Sequence, residues 1–199
     1  LNFASVLRAT LRQDPDILLV GEIRDAESAE IALRASMTGH MVLSTLHTND
    51  AVTSALRLMD IGVDGYLVAT ALKAIIAQRL VRRICNSCVQ PYKPDTNEQQ
   101  LLAAVGKGRD FSSVTFKQGT GCPHCHNTGY RGRIGVFEML ELTHPMAEAL
   151  RMNDINGFTK AAYATANFVT LSEAALGYAI EGVTTLEEVM AISAQIDEL

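Results

Sequence analysis

The stretch Arg12-Gln13-Asp14-Pro15-Asp16-Ile17-Leu18-Leu19-Val20-Gly21-Glu22-Ile23-Arg24-Asp25 decides the fold class of this 199-residue chain. A proline between two aspartates makes a turn, and four aliphatic residues then form a short strand that ends at a lone carboxylate, Glu22. An uninterrupted apolar run of this kind suits a strand buried on both faces, as in a parallel sheet covered by helices. Ligands of such sheets bind outside the carboxyl ends of the strands. Glu22 is therefore expected where a nucleotide's terminal phosphate, Mg²⁺ and an attacking water would lie. The pattern is that of a Walker B strand.

Working outward, residues 26–38 read as a helix with Glu30 and Arg34 as an i,i+4 pair, stopped by Gly39. His40 to Leu46 (HMVLSTL) reads as a second buried strand. Its carboxyl end carries Thr45, His47, Thr48 and Asn49, which would stand beside Glu22 if the two strands are parallel neighbours. Seven residues of strand span about 23 Å, so His40 and His47 cannot both reach one phosphate. His47 is the expected nucleotide contact, and His40 is expected in a structural or subunit-contact role. Asn49 or Asp50 caps the next helix, with Val52, Ala55, Leu56 and Met59 as its apolar face. A further helix is expected over residues 64–80, ending near Arg79. This alternation of helix and strand argues for α/β.

From Arg82 to Arg133 the composition changes, and all four cysteines fall there. Cys85-Asn86-Ser87-Cys88 and Cys122-Pro123-His124-Cys125 are two C-x-x-C knuckles, the usual means of enclosing a tetrahedral structural Zn²⁺. Disulfides are the alternative, disfavoured if the setting is cytosolic. The long separation between the knuckles requires inserted strands or helix. A strand over 134–140 follows, then helices with capping boxes at Thr170/Glu173 and Thr184/Glu187. The boundaries drawn are 1–80 for an α/β core, 81–132 for a zinc module, and 133–199 for a return strand and helices.

The net charge of −5 argues against a nucleic-acid partner. The longest apolar run, residues 67–80, is too short for a membrane span and is broken by Lys73 and Gln78. Arg8, Arg12 and Arg24 flank the first strand. They have two readings: surface pairing with Asp14, Asp16 and Asp25, or phosphate clamping across a subunit boundary. The chain opens without a Met, inside a helical pattern, and is expected to be part of a longer protein.

RQDPDILLVGEIRD, GHMVLSTLHTND, AQRLVRRIC, the cysteine knuckles and GYRGRIGVFEML together closely resemble the ATPases of type II secretion and type IV pilus assembly, including the MSHA type. The resemblance runs in order over most of the chain. It implies a RecA-like P-loop ATPase core, here its C-terminal half, with a tetracysteine zinc subdomain and a C-terminal helical subdomain. It implies ATP and Mg²⁺ as cofactors in the intact enzyme and structural Zn²⁺ on Cys85, Cys88, Cys122 and Cys125. By it Glu22, His47, Arg24 and Arg12 are catalytic, His40 and His47 are the two histidines of the family's histidine box, and Arg8 takes part in nucleotide handling; Thr45, Thr48 and Asn49, by their place at the strand end, and Arg79 are expected to join His40 and Arg8 as nucleotide contacts. A homo-hexamer acting on an inner-membrane platform of the secretion or pilus machinery, at the cytoplasmic face of the bacterial inner membrane, is implied too. One departure is plain: no G-x-x-x-x-G-K-[ST] occurs in the sequence. The family's phosphate cradle is expected upstream, and the chain alone is expected to be inactive. The competing reading is a zinc-stabilised protein-interaction module without nucleotide chemistry.

Overall fold

A computed structural model describes residues 3–197. Its contacts gather the chain into two compact units, Leu1–Ile76 with Met139–Phe168, and Ala77–Glu138 with Val169–Leu199. Segment 133–199 therefore contributes to both.

The first unit begins with α1 (Phe3–Thr10), β1 (Ile17–Val20), α2 (Ala26–Met37), β2 (Met41–Ser44), α3 (Ala51–Asp60) and α4 (Gly65–Ala71). β1 and β2 are parallel, in register from Ile17↔Met41 to Val20↔Ser44. The alternation read from the sequence thus yields the expected α/β fold. Each helix start has a local cause. Asp25, Asp50 and Asp64 accept backbone N–H bonds from Ser28, Thr53 and Tyr66 and so cap α2, α3 and α4. Gly39, at φ 103°, ends the α2 turn in a left-handed conformation that a side chain would resist. α6 (His144–Arg151) and α7 (Ile155–Tyr163) complete the unit, and α6 packs on α4. Gly65 lies so close to the Leu150 carbonyl that a Cβ there would collide with it. Met146, Leu150 and Phe158 are fully buried.

The second unit holds residues 77–84 of β3 (Ala74–Ile84) and 130–138 of its partner β6 (Tyr130–Glu141), with β4 (Val89–Pro91) antiparallel to β5 (Lys117–Gly119). α5 (Thr96–Val105), α8 (Leu171–Ile180) and α9 (Leu186–Asp197) pack around them. Val81, Leu102, Phe116, Val136, Leu171, Leu176 and Val189 form its core. Buried Glu138 accepts the Leu171 backbone N–H at 2.8 Å, fixing the first turn of α8 to β6. The expected box of Thr170 with Glu173 caps α8.

Four expectations are corrected. The helix drawn over 64–80 stops at Ala71, and 74–84 is strand. Its β-branched residues (Ile75, Ile76, Val81, Ile84) suit a pleated surface, and Leu72 leaves the helix with extended backbone. Arg79 is thus on a strand and not at a helix end. Neither strand is buried on both faces: in β1, Leu18 and Val20 point inward while Ile17 and Leu19 are exposed, and β2, expected as a buried strand over 40–46, runs only over Met41–Ser44 with Val42 alone half-buried. On α3, Leu58 is buried with Val52 and Ala55, whereas Leu56 and Met59 are half-buried. Finally, α9 is capped one residue later than expected. The Thr185 hydroxyl accepts the Glu188 N–H at 3.4 Å, while Thr184 donates to the Arg82 carbonyl. Glu187 instead accepts from the Tyr130 hydroxyl at 2.7 Å.

Candidate active site and candidate metal centre

Beyond their last paired residues the two parallel strands stay tied. The Ile23 N–H donates to the Thr45 carbonyl at 3.0 Å, and the Thr45 hydroxyl donates to the Gly21 carbonyl at 2.6 Å. This brings Glu22 and His47 out side by side at the carboxyl ends. One Glu22 oxygen meets the Arg24 guanidinium, and the other lies 3.0 Å from His47 Nε2. The carboxylate is 29 % exposed, against 76 % for Arg24 and 89 % for His47. A partly shielded acid is therefore flanked by an exposed guanidinium and an exposed imidazole. The hydrogen bond from Arg24 is the main reason that the Glu22 carboxyl is held below the usual carboxylate range. Partial desolvation opposes it, and His47 reinforces it. Glu22 is ionised at neutral pH.

These groups face an open pocket of about 320 Å³. Ile23, Leu46 and Ile61 form its apolar wall, and Arg57 of α3 adds a further cation. Arg57 was missed by the sequence reading, which followed only the apolar face of α3. The available signal was its place seven residues after the Asp50 cap, on a helix that starts where β2 ends.

The remaining residues singled out from the sequence are spread more widely. Arg8 pairs with Glu27 at 2.7 Å on the surface. Arg12 is exposed in the turn after α1 and does not line the pocket. Asp25 caps a helix, and Arg8 and Arg24 pair with Glu27 and Glu22 instead of the aspartates considered. Thr48 shares a 2.5 Å hydrogen bond with Ser54 at the start of α3, and Asn49 precedes the Asp50 cap. His40 stands at the opposite end of β2, with Nδ1 3.0 Å from the Ala35 carbonyl and 3.2 Å from the Thr38 hydroxyl. Arg79 belongs to the second unit.

The four cysteines converge. All four Sγ atoms lie within 4.8 Å of one another. Cys85–Cys122 and Cys88–Cys125 are 3.8 Å apart, and Cys122–Cys125 are 3.7 Å apart. None is in a disulfide. A tetrahedral Zn²⁺ with Zn–S bonds of about 2.3 Å has sulfur–sulfur edges of about 3.8 Å, so the donor set fits that ion. Burial raises the Cys125 thiol, but the N–H groups of Cys122 (3.2 Å) and Gly129 (3.3 Å), with the neighbouring thiols, more than offset it and bring it down to about 6. Burial pushes Cys88 up to about 12. His124 and His126 are exposed beside the knuckle and stand outside the cluster. The separation between the knuckles is filled by β4, α5 and β5. Gly119 and Gly129 bring two backbones into contact there, each closing the space a Cβ of the other would need.

A family model described as type II/IV secretion system protein matches residues 1–191. The chain belongs to this family. It is 40 % identical over 97 % of its length to the type II secretion system ATPase E of Vibrio cholerae, of which it covers 37 %. It is 42 % identical over 96 % of its length to the type IV pilus assembly ATPase PilB of Myxococcus xanthus, covering 33 % of that protein. The chain thus spans about a third of these relatives. Among solved structures it resembles the pilus retraction motor PilT with bound ADP, with a TM-score of 0.66 and 27 % identity, covering all of this chain and 45 % of that one. The Legionella pneumophila ATPase DotB, at 20 % identity and a TM-score of 0.65, shares the fold. Among the described residues, no helix is long and apolar enough to cross a membrane.

Proposed function

We propose that this chain carries the water-activating half of the ATP-hydrolysing site of a secretion or pilus-assembly motor. The observation that supports it best is the ionised Glu22 at the carboxyl ends of two parallel strands, facing a pocket shared with Arg24, His47 and Arg57. A carboxylate held this acidic is a poor proton store and a good hydrogen-bond acceptor. Its role is to orient and polarise the attacking water. Arg24 and His47 already bind an anionic oxygen and are exposed enough to turn to a terminal phosphate, where positive charge stabilises the transition state. Arg12, Arg8 and Arg79 act at phosphate or subunit contacts, Thr45, Thr48 and Asn49 hold the strand ends that carry the site, and His40 braces the far end of β2 against the end of α2. The sequence has no P-loop motif and places Gly21 rather than an acid before Glu22. Phosphate cradling and Mg²⁺ coordination therefore fall to residues outside these 199, and the chain alone does not turn over ATP.

In the whole protein this site belongs to a RecA-like core working as a homo-hexamer on an inner-membrane platform, at the cytoplasmic face. Cys85, Cys88, Cys122 and Cys125 hold a structural Zn²⁺, whose contribution is to fold their module. Glu22→Gln in the full-length protein tests the reading. Nucleotide binding is retained and kcat falls by about 10²–10⁴, the range for a positioned acid or base. Turnover near that of the unaltered protein overturns it.

A further inference from the structure

The two cysteine knuckles are held face to face by backbone bonds that need no metal. The Cys85 N–H donates to the Gly129 carbonyl at 2.9 Å. The Cys88 carbonyl accepts from the Thr120 N–H at 3.0 Å and from the Thr120 hydroxyl at 3.2 Å. Across this frame Cys85 faces Cys122 and Cys88 faces Cys125, each pair with its sulfurs 3.8 Å apart. Each pair joins a half-exposed sulfur, Cys122 or Cys88, to a buried one, Cys85 or Cys125. An accessible thiolate beside a second cysteine able to resolve it is the arrangement of an oxidisable site. A disulfide needs about 2.05 Å between its sulfurs, so each pair closes by moving less than about 2 Å.

We infer that the cysteine cluster is a peroxide-oxidisable site that closes as two disulfides, Cys85–Cys122 and Cys88–Cys125, and so keeps its module folded without a metal. The half-exposed thiolate attacks one oxygen of the peroxide; the O–O bond breaks, an S–O bond forms and hydroxide leaves. The buried thiolate then attacks that sulfenic sulfur, an S–S bond forms and a second hydroxide leaves. Each pair gives up two electrons to one peroxide, so two peroxides close the cluster. A disulfide sulfur carries no negative charge. Zn²⁺ departs because its anionic donors are gone, not because another ligand has displaced it.

Cys122 is as near to Cys125, at 3.7 Å, and closure inside each knuckle is the competing outcome. Thiol–disulfide exchange among adjacent sulfurs sorts between the two. A bond inside a knuckle joins residues 3 apart and constrains almost nothing, whereas each bond across joins residues 37 apart and restricts the unfolded chain. The folded module therefore favours the crossed pairing, which takes over the constraint that a metal supplies. The pairing rests on the sulfur positions alone; only the release of Zn²⁺ rests on the zinc reading.

Hydrogen peroxide added to the reduced 199-residue protein, its metal content first measured by native mass spectrometry, tests the inference. All four thiols are expected to be lost at two peroxides per chain, with one Zn²⁺ released to a metallochromic dye. Trypsin cuts after Arg83, Lys117 and Arg131. The crossed pairing then appears as one linked pair of peptides, in which fragmentation assigns Cys85 to Cys122 and Cys88 to Cys125. Closure inside the knuckles appears as two separate, internally closed peptides. Hydrogen exchange of the oxidised protein keeps the second unit protected with a strong chelator present, where the reduced protein loses that protection. A dithiol reductant with added Zn²⁺ restores the four thiols. A different pairing, thiols that resist peroxide or pass to sulfinic acid unpaired, or an oxidised second unit that loses its protection each overturns the inference. A protein that carries no Zn²⁺ overturns the zinc reading instead, and the peptide map of that same sample still decides the pairing.

Discussion

The Glu22 pocket and the cysteine cluster are built on opposite principles. Around Glu22 the polar side chains are exposed and interchangeable in partner: Arg24 and His47 hold the carboxylate from solvent, with little packed over them. Around the cysteines two thiols are buried and backbone N–H groups fix the sulfur. A site that must exchange ligands stays open and costs little to rearrange. A site that must never exchange its ligand is enclosed and carries the stability of its surroundings.

The sharpest way to break this contrast is to test the proposed metal. Structural zinc supplies roughly 10–16 kcal/mol of apparent binding energy that is also folding energy. A strong chelator, or Cys88→Ser, is expected to unfold the second unit while the first keeps its protection, read by hydrogen exchange resolved along the sequence. Uniform protection in both units with no metal released would end the zinc assignment. Glu22→Gln belongs next: activity falls as stated, yet the melting curve stays put because the site is solvent-facing. A large loss of Tm would show that the pocket holds the fold together.

Smaller effects sharpen the second unit. Thr185→Ala removes the α9 cap and is expected to cost about 1 kcal/mol in urea unfolding. Acid should loosen α8. Burial raises the Glu173 carboxyl, but Lys107, 2.5 Å away, and the Thr170 N–H and hydroxyl overcome this and hold it below its usual 4.5. A depressed folded value means that its contribution is present above the unfolded value and is lost as pH falls through the folded one. Unfolding followed from pH 6 downward should therefore show a loss beginning near 4.5 that Lys107→Met diminishes.

Much of the first site was legible because strand ends are punctuated. Asp-Pro-Asp starts β1, and Gly21-Glu22 ends it. A second apolar run ending at His47 then follows at a spacing that one helix fills. The cysteine knuckles were legible because their chemistry is local. Residues 74–84 were not, because Leu72, Ile75 and Ile76 fit a helical stripe as well as a strand and only the partner β6 decides. The open face of β1 was hidden for a related reason: an apolar run declares affinity for cover, not whether cover is present. Arg57 escaped because a lone arginine on a polar helix face looks like solvation until the pocket is seen. Nor does chain order reveal that α6 and α7 fold with the first unit while α8 and α9 fold with the second.

The contact between Gly119 and Gly129 sets a limit on how this module can vary. Each fills the space that a methyl group on the other would occupy, and the Gly129 N–H also serves the Cys125 sulfur. In a library of every single substitution, these two positions should be as intolerant as the four cysteines, although neither offers a donor to a metal. A screen that scored ligands alone would overlook a third of the residues on which the centre depends.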